Sequence, residues 1–250
     1  MKLCAAQLSL EAGDVDRNVR KHLALVDVAV SYEADLIFFP ELSLTGYEPK
    51  LAERLATDSD DRRLDVFQEL ADRQDIVIGI GFPERSPEGT RIAMAVFRPR
   101  GERLTYAKQQ LHSDELPFFV GGGHQLVFAA DGHAIAPAIC YESLQSDHGR
   151  EAARKGAEIY LASVAKPQRN VVKAYQHYPQ IAREHSMAVL MANCVGASDD
   201  FVGAGQSGIW NSEGELVANM DDSAEGIVLF DTSTQKGAAV VVPRAKPSGR

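Results

Sequence analysis

The sequence predicts a mixed α/β layered fold with much parallel sheet. Three observations lead there. Short apolar runs alternate with segments of helical periodicity, the pattern of strand–helix–strand units. Several runs are instead joined in pairs by tight turns, which adds antiparallel hairpins. No linker, low-complexity stretch or repeat divides the 250 residues, a length that suits one large domain. The expectation is a single domain over 1–250, with a C-terminal tail from about 232.

The elements follow in order. "KLCAAQLSL" is a first strand. In "GDVDRNVRKHLALVDVAVSYEA", Val15, Val19, Leu23, Val26 and Val30 recur at helical spacing, and the Asp residues suit a helix start. "DLIFFPELSLTGYEP" is a buried strand that Pro40 closes, followed by a loop punctuated by Gly and Pro. "SDDRRLDVFQELADRQD" is a helix and "IVIGIGFPER" a strand. "RIAMAVFRPRGERLTYAK" reads as a hairpin ending near Lys108. The second half has a similar rhythm. "QLVFAADGHAIAPAICYES" is a hairpin turning at "DG", "DHGREAARKGA" a helix and "EIYLASVA" a strand. "YQHYPQIAREHS" is a helix, "MAVLMANCVG" a strand and "GQSGIWNSEGELVANMD" one more hairpin. "GIVLFD" is the last strand; a polar stretch, "AAVVVP" and the basic end "RAKPSGR" make up the tail.

Bulk composition narrows the function classes. Apolar residues make up 45% and charged residues 24%, ordinary for a soluble globular protein. A chain of this length buries roughly three-quarters of its unfolded surface and needs no disulfides. The net charge of -9 argues against a general nucleic-acid surface. The three cysteines, Cys4, Cys140 and Cys194, fit a reducing compartment better than a disulfide framework. The N-terminus makes a poor signal peptide, and no apolar run approaches the roughly 20 residues of a membrane span. The cytoplasm is the expected location.

Three apolar strands end on a reactive side chain: "LIFFPE" on Glu41, "RLTYAK" on Lys108 and "IAPAIC" on Cys140. Taken singly, each has an ordinary reading. Glu41 suits a helix cap or surface charge, Lys108 a solvated strand end, and Cys140 a small core hydrophobe. Jointly they supply what thiol-based acyl transfer needs at the carboxyl ends of strands. A carboxylate can act as base, an ammonium can stabilise thiolate and oxyanion, and the thiol can attack.

At these residues the chain resembles the nitrilase superfamily of carbon–nitrogen hydrolases. "ADLIFFPELSLTGYEP" is similar to the family's glutamate motif, "TYAKQQLHSDELPFFVGG" to its lysine motif and "AIAPAICYES" to its cysteine motif. "GREAARKGAEIYLAS", "HYPQIAREHSMAVLMANCVG" and "GQSGIWNSEGELVA" resemble the segments that follow. The resemblance implies an αββα sandwich, often paired into an αββα–αββα layer, hence a homodimer or higher homo-oligomer. It implies Cys140 as nucleophile, Glu41 as proton acceptor and Lys108 as stabiliser of the tetrahedral intermediate. The backbone N–H of Tyr141 is the implied second oxyanion donor. Glu115, in "HSDELPFF", matches a further glutamate that positions substrate or assists the proton relay. Tyr47 in the glutamate motif is a candidate substrate contact. No metal and no organic cofactor is implied.

The chain departs from the family in three places. "SLQSDH", Ser143–His148, lacks the Arg and Pro common after the cysteine. "SVAK" ends on Lys166 where relatives carry Pro-Ser-Ala and an aromatic. Lys166 is either a solvated loop lysine or a cation that binds an acidic group of the substrate. "AREHS" puts His185 where an Asn is usual, a helix-surface difference. "GAGQSG", residues 203–208, fits GxGxxG but precedes a hairpin, so nucleotide binding is not supported. The seven histidines show no metal-ligand spacing.

The expected function is hydrolysis of a small non-peptide amide through a thioester. The ω-amide of a dicarboxylic acid and an N-carbamoyl amine or amino acid are the substrate candidates, ahead of a nitrile. A catalytically silent binding protein of the same fold is the alternative from another class. Acyl transfer to an amine acceptor ranks lower, because the chain shows no appended membrane or synthetase domain.

Overall fold

Alternation along the strands decides the layers. In the computed structural model, which describes residues 1–58 and 60–243, β1 (Lys2–Gln7) sends Leu3 and Ala5 into one core and Cys4 and Ala6 into another. A period-two strand buried on both faces must have a partner layer on each side.

In chain order, α1 (Val15–Ser31) leads to β2 (Leu36–Phe38), α2 (Pro49–Leu55) and α3 (Asp65–Gln74). Next come β3 (Val77–Ser86), β4 (Gly89–Phe97), β5 (Leu104–Ala107), β6 (Phe128–Ala130) and β7 (His133–Ile139). Then α4 (Ser146–Arg154), β8 (Ile159–Val164), α5 (Gln168–His185) and β9 (Ala188–Asn193) follow. Last are β10 (Val195–Ser198), β11 (Phe201–Ala204), β12 (Gly208–Trp210), β13 (Leu216–Asn219), β14 (Glu225–Asp231) and β15 (Lys236–Val242).

One sheet runs β15-β14-β1-β2-β3-β4-β5, the other β13-β12-β9-β8-β7-β6. Each has a parallel centre, β1/β2/β3 and β7/β8/β9, with antiparallel strands on both sides. The inner faces meet in a common core that includes Phe38, Met94, Ile139, Leu161 and Leu190. Outside the first sheet, Val26, Ala29, Phe67 and Leu70 of α1 and α3 cover Ile37, Ile78 and Ile80. Outside the second, Ala152, Tyr178 and Ile181 of α4 and α5 cover Ala136, Tyr160 and Met191. The layers are therefore αββα, as the resemblance implies.

Several details differ from the expectation. The stretch expected to be a tail from 232 holds β15, paired along its length with β14. Its Val and Ala residues complete a sheet edge that periodicity alone did not reveal. The basic end, 244–250, lies outside the described residues. The loop after Pro40 contains α2, which Pro49 opens at its first turn, the one place where proline suits a helix. Helix α5 begins seven residues before the periodic segment and continues through Pro179. "GAGQSG" joins β11 to β12 with no helix after it. Among the described residues, no helix is long and apolar enough to cross a membrane.

Candidate active site

The carboxyl ends of strands from both sheets converge. The Ser163 hydroxyl, on β8, donates to the Phe39 carbonyl beyond β2 at 2.8 Å, tying the two ends together. Glu41 sits in a tight turn just past β2, with Leu42 in the left-handed region at φ 51°. That turn lies on β3 at Gly81, where a Cβ would stand 2.5 Å from the Pro40 carbonyl oxygen. Lys108 follows β5 and is backed by Gly122, whose N–H donates to the Lys108 carbonyl at 2.7 Å. A Cβ there would approach the Ala107 carbonyl oxygen to 2.3 Å. Cys140 follows β7 with φ 49°, a conformation unfavourable for a side-chain-bearing residue and typical of functional turns. Its N–H donates to the Ser163 carbonyl at 3.0 Å, fixing the bend.

Glu41, Lys108 and Glu115 are all buried. The Lys108 ammonium donates to Glu41 Oε1 at 2.8 Å and to Glu115 Oε1 at 2.6 Å. Glu115 also accepts from the Tyr47 hydroxyl at 3.0 Å and from the His112 N–H at 2.8 Å. Burial pushes the Glu41 carboxyl up to about 7; the Lys108 charge opposes this and the Glu115 charge adds to it. Burial disfavours the Lys108 ammonium, but the Glu41 and Glu115 charges outweigh it and hold the group above its ordinary range. The second Glu41 oxygen, Oε2, is buried with no hydrogen-bond partner among the described residues. An unpaired carboxylate oxygen at a titrating group is an available proton acceptor.

Cys140 is half-buried, whereas Cys4 and Cys194 are buried in the core. Burial and then the Glu41 charge push the Cys140 thiol up to about 11, against the opposing charges of Lys166 and Lys108. It therefore needs a base to become a nucleophile at neutral pH. Burial pushes the Cys194 thiol further, to about 12.

Lys166 is buried, not a solvated loop lysine. Its ammonium reaches the Cys140 carbonyl at 3.3 Å and Sγ at 3.7 Å. Tyr141 lines the same cavity, and its N–H donates to no group among the described residues.

Three supporting residues escaped sequence reasoning. Glu142 is fully buried. It accepts from the Ile139 N–H at 2.8 Å, the Tyr106 hydroxyl at 2.7 Å and the Gln109 N–H at 2.7 Å. One carboxylate thus locks the strand end before Cys140 to the residue after Lys108. His148, whose pKa burial lowers, stands between the Tyr106 and Tyr160 hydroxyls at 2.8 and 2.7 Å. Asn193 ends β9 and clamps Lys166 at both its N–H and its carbonyl. It carries the signal that marked Glu41, Lys108 and Cys140, a polar side chain closing an apolar strand.

The site opens into a cavity of about 880 Å³ lined by Tyr47, Phe118, Cys140, Lys166, Phe201 and neighbours. In the segment Ser143–His148, Leu144 and Gln145 line it. Ser143 instead donates to the Cys140 carbonyl at 2.6 Å and contacts the Tyr178 hydroxyl. One wall carries the cations Arg169 and Lys173; His177, whose pKa burial lowers, follows them on the same face of α5 at four-residue spacing. Asp114, Asp199 and Asp200 also line the cavity.

Residues 2–240 match the carbon–nitrogen hydrolase family. The chain belongs to that family. The glutamine-dependent NAD(+) synthetase of Acinetobacter baylyi is 30% identical over 86% of the chain, but only 41% of the synthetase is covered. The chain therefore spans about two-fifths of the synthetases it matches. The 2-oxoglutaramate amidase of Bacillus subtilis is 25% identical, over 94% of the chain and 91% of the amidase. In structure, the chain is similar to the amidase of Nesterenkonia sp. AN1. Their TM-score is 0.85 at 23% identity, with 92% of each chain covered.

Proposed function

We propose that the protein is a cysteine-dependent amidase. Its proposed substrate is a small linear amide carrying a carboxylate at the end remote from the amide. The observation that carries the reading is the buried cluster at the strand ends: Lys108 held between Glu41 and Glu115, with Cys140 on the same cavity.

The chemistry follows from these groups. Glu41 takes the Cys140 proton while Sγ attacks the amide carbonyl carbon and the π pair moves onto oxygen. Lys108 and the Tyr141 N–H stabilise that oxyanion. Glu41 returns the proton to the departing nitrogen, leaving a thioester and free ammonia or amine. It then takes a proton from water, which attacks the thioester; the acid leaves and Sγ regains its proton. A carboxyl titrating near 7 suits a group that must accept and donate in one cycle. Glu115 holds Lys108 and is itself held by Tyr47 and His112, so Tyr47 acts through that chain as well as lining the cavity.

The basic face of α5 supports the substrate class. Arg169 and Lys173 are exposed on the cavity wall, where a substrate carboxylate can reach them. Glutamine and 2-oxoglutaramate, in the names of two relatives, are both terminal amides with a carboxylate at the other end.

The test is ammonia release from a panel: glutamine, 2-oxoglutaramate, succinamate, neutral butyramide, N-carbamoyl amino acids and nitriles, with intact-mass detection of the thioester. Turnover of the acidic ω-amides ahead of butyramide is the expected result. No turnover, with Cys140 alkylated no faster than Cys4 or Cys194, overturns it in favour of a silent binding protein.

A further inference from the structure

Lys166 is a buried cation that no carboxylate neutralises among the described residues. Burying an ammonium without a counter-ion is costly. The chain nevertheless holds this one firmly. Asn193 Oδ1 accepts from the Lys166 N–H at 2.8 Å, and Asn193 Nδ2 donates to the Lys166 carbonyl at 3.1 Å. The same Nδ2 is tied to the Gly205 carbonyl at 2.8 Å, and the Ala204 N–H donates to the Lys166 carbonyl at 3.0 Å. The backbone is clamped between β9 and β11, and the ammonium ends 3.7 Å from Cys140 Sγ.

Lys108 cannot serve the sulfur equally well. Its charge is shared by two carboxylates at hydrogen-bond distance, and its effect on the thiol ranks behind that of Lys166. The charged groups that act on the thiol are Glu41, Lys166, Lys108 and Glu115, and His177 lies near Lys166. Of the two cations, only Lys166 has no carboxylate at ion-pair distance among the described residues.

We propose that Lys166 is a second catalytic cation, which stabilises negative charge on Cys140 Sγ whenever the sulfur carries it. That happens twice in a turnover. In the first step the S–H bond breaks, its proton passes to Glu41, and the sulfur pair forms the S–C bond. In the second, collapse of the water adduct breaks the C–S bond and returns the pair to sulfur, which Glu41 then protonates. Lys166 contributes charge only. The proposal rests on Cys140 being the nucleophile, but it predicts a property of the thiol itself that does not need a substrate.

The experiment is the pH dependence of Cys140 alkylation by iodoacetamide in the full chain, read by mass, with Cys4 and Cys194 as internal references. It is run on wild type, Lys166→Met and Lys166→Arg, alongside turnover of butyramide and succinamate. Lys166→Met should move the alkylation midpoint up by roughly one to three pH units, as expected for loss of a neighbouring opposite charge. It should also lower kcat for both amides by about tenfold or more, a change equivalent to at least one pKa unit. Lys166→Arg should restore most of both, and decides the matter if the Met variant does not fold. An unmoved midpoint, with KM raised for succinamate alone, overturns the proposal and makes Lys166 a substrate ligand. A moved midpoint in a protein that hydrolyses no amide upholds the proposal and removes the amidase reading.

Discussion

Lys108 and Lys166 are both buried in one site, yet they sit in opposite company. Lys108 follows β5 and has a carboxylate on either side, 2.8 and 2.6 Å away. Lys166 follows β8 and meets a carbonyl and a sulfur. The first lysine is part of a balanced network in which each charge justifies the burial of the next. The second is an unbalanced charge held in place by backbone hydrogen bonds to Asn193. The difference teaches how to separate stability from function: removing a balanced charge strands its partners, whereas removing an unbalanced one strands nothing.

The broadest test of that contrast removes the sulfur that Lys166 is proposed to serve. Cys140→Ala should abolish ammonia release while circular dichroism and the melting temperature stay near wild type, because Cys140 is only half-buried. In that background Lys166→Met should have no further effect on turnover. Unfolding of Cys140→Ala would instead make the thiol a packing residue.

Next in size is the comparison of the two lysines by denaturant unfolding. Lys108→Met leaves Glu41 and Glu115 buried without their cation and should destabilise by about 3–5 kcal/mol. Lys166→Met should be neutral or stabilising, since an apolar side chain replaces an unpaired charge. Equal losses in the two variants would break the contrast.

The pH profile sharpens the Lys108 side. In the proposed mechanism the ionised Glu41 is the base, and burial raises its carboxyl to about 7. Protonation below that value removes the base, so kcat/KM should fall about tenfold per pH unit on the acid limb and level off above it. The same shift has a stability consequence. A carboxyl with a raised folded-state pKa favours folding while protonated, and loses that contribution as pH rises from its usual range through about 7. Replacement of Lys108 should move the acid limb up, because the ammonium favours ionised Glu41. A limb unchanged in Lys108→Met would remove Glu41 as the titrating base.

The smallest effects belong to the exposed cavity wall. Arg169→Ala and Lys173→Ala should each raise KM for succinamate by a few-fold, in keeping with the ~0.2–1 kcal/mol of exposed ion pairs. Neither should change kcat or the KM of butyramide. A kcat effect would place them in the chemistry with Lys166.

Much of this was legible in one dimension. The strand–helix rhythm predicted the layers because the period of apolar residues reports directly on buried faces. Glu41, Lys108 and Cys140 stood out because each interrupts an apolar run where a strand ends. What stayed hidden had no such contrast. Helix α2 is short and opens on a proline that reads equally well as a turn. Strand β15 is Ala- and Val-rich beside a polar stretch, and only pairing with β14 defines it. Glu142 looked like the polar tail of a motif; its burial depends on donors from the distant Tyr106 and Gln109 as well as from its own strand end.

By itself, then, the sequence determined the α/β class, most of the order of elements and the placing of Glu41, Lys108 and Cys140 at the ends of apolar strands. These depend on local periodicity and residue chemistry. Only the tertiary structure decided the electrostatics: which carboxylates hold Lys108, that Lys166 is buried, and that it faces sulfur instead of solvent. The reason is physical. Charge energetics depend on distances and dielectric between residues far apart in the chain, such as Lys108 and Glu41 or Lys166 and Cys140, and no linear pattern encodes those.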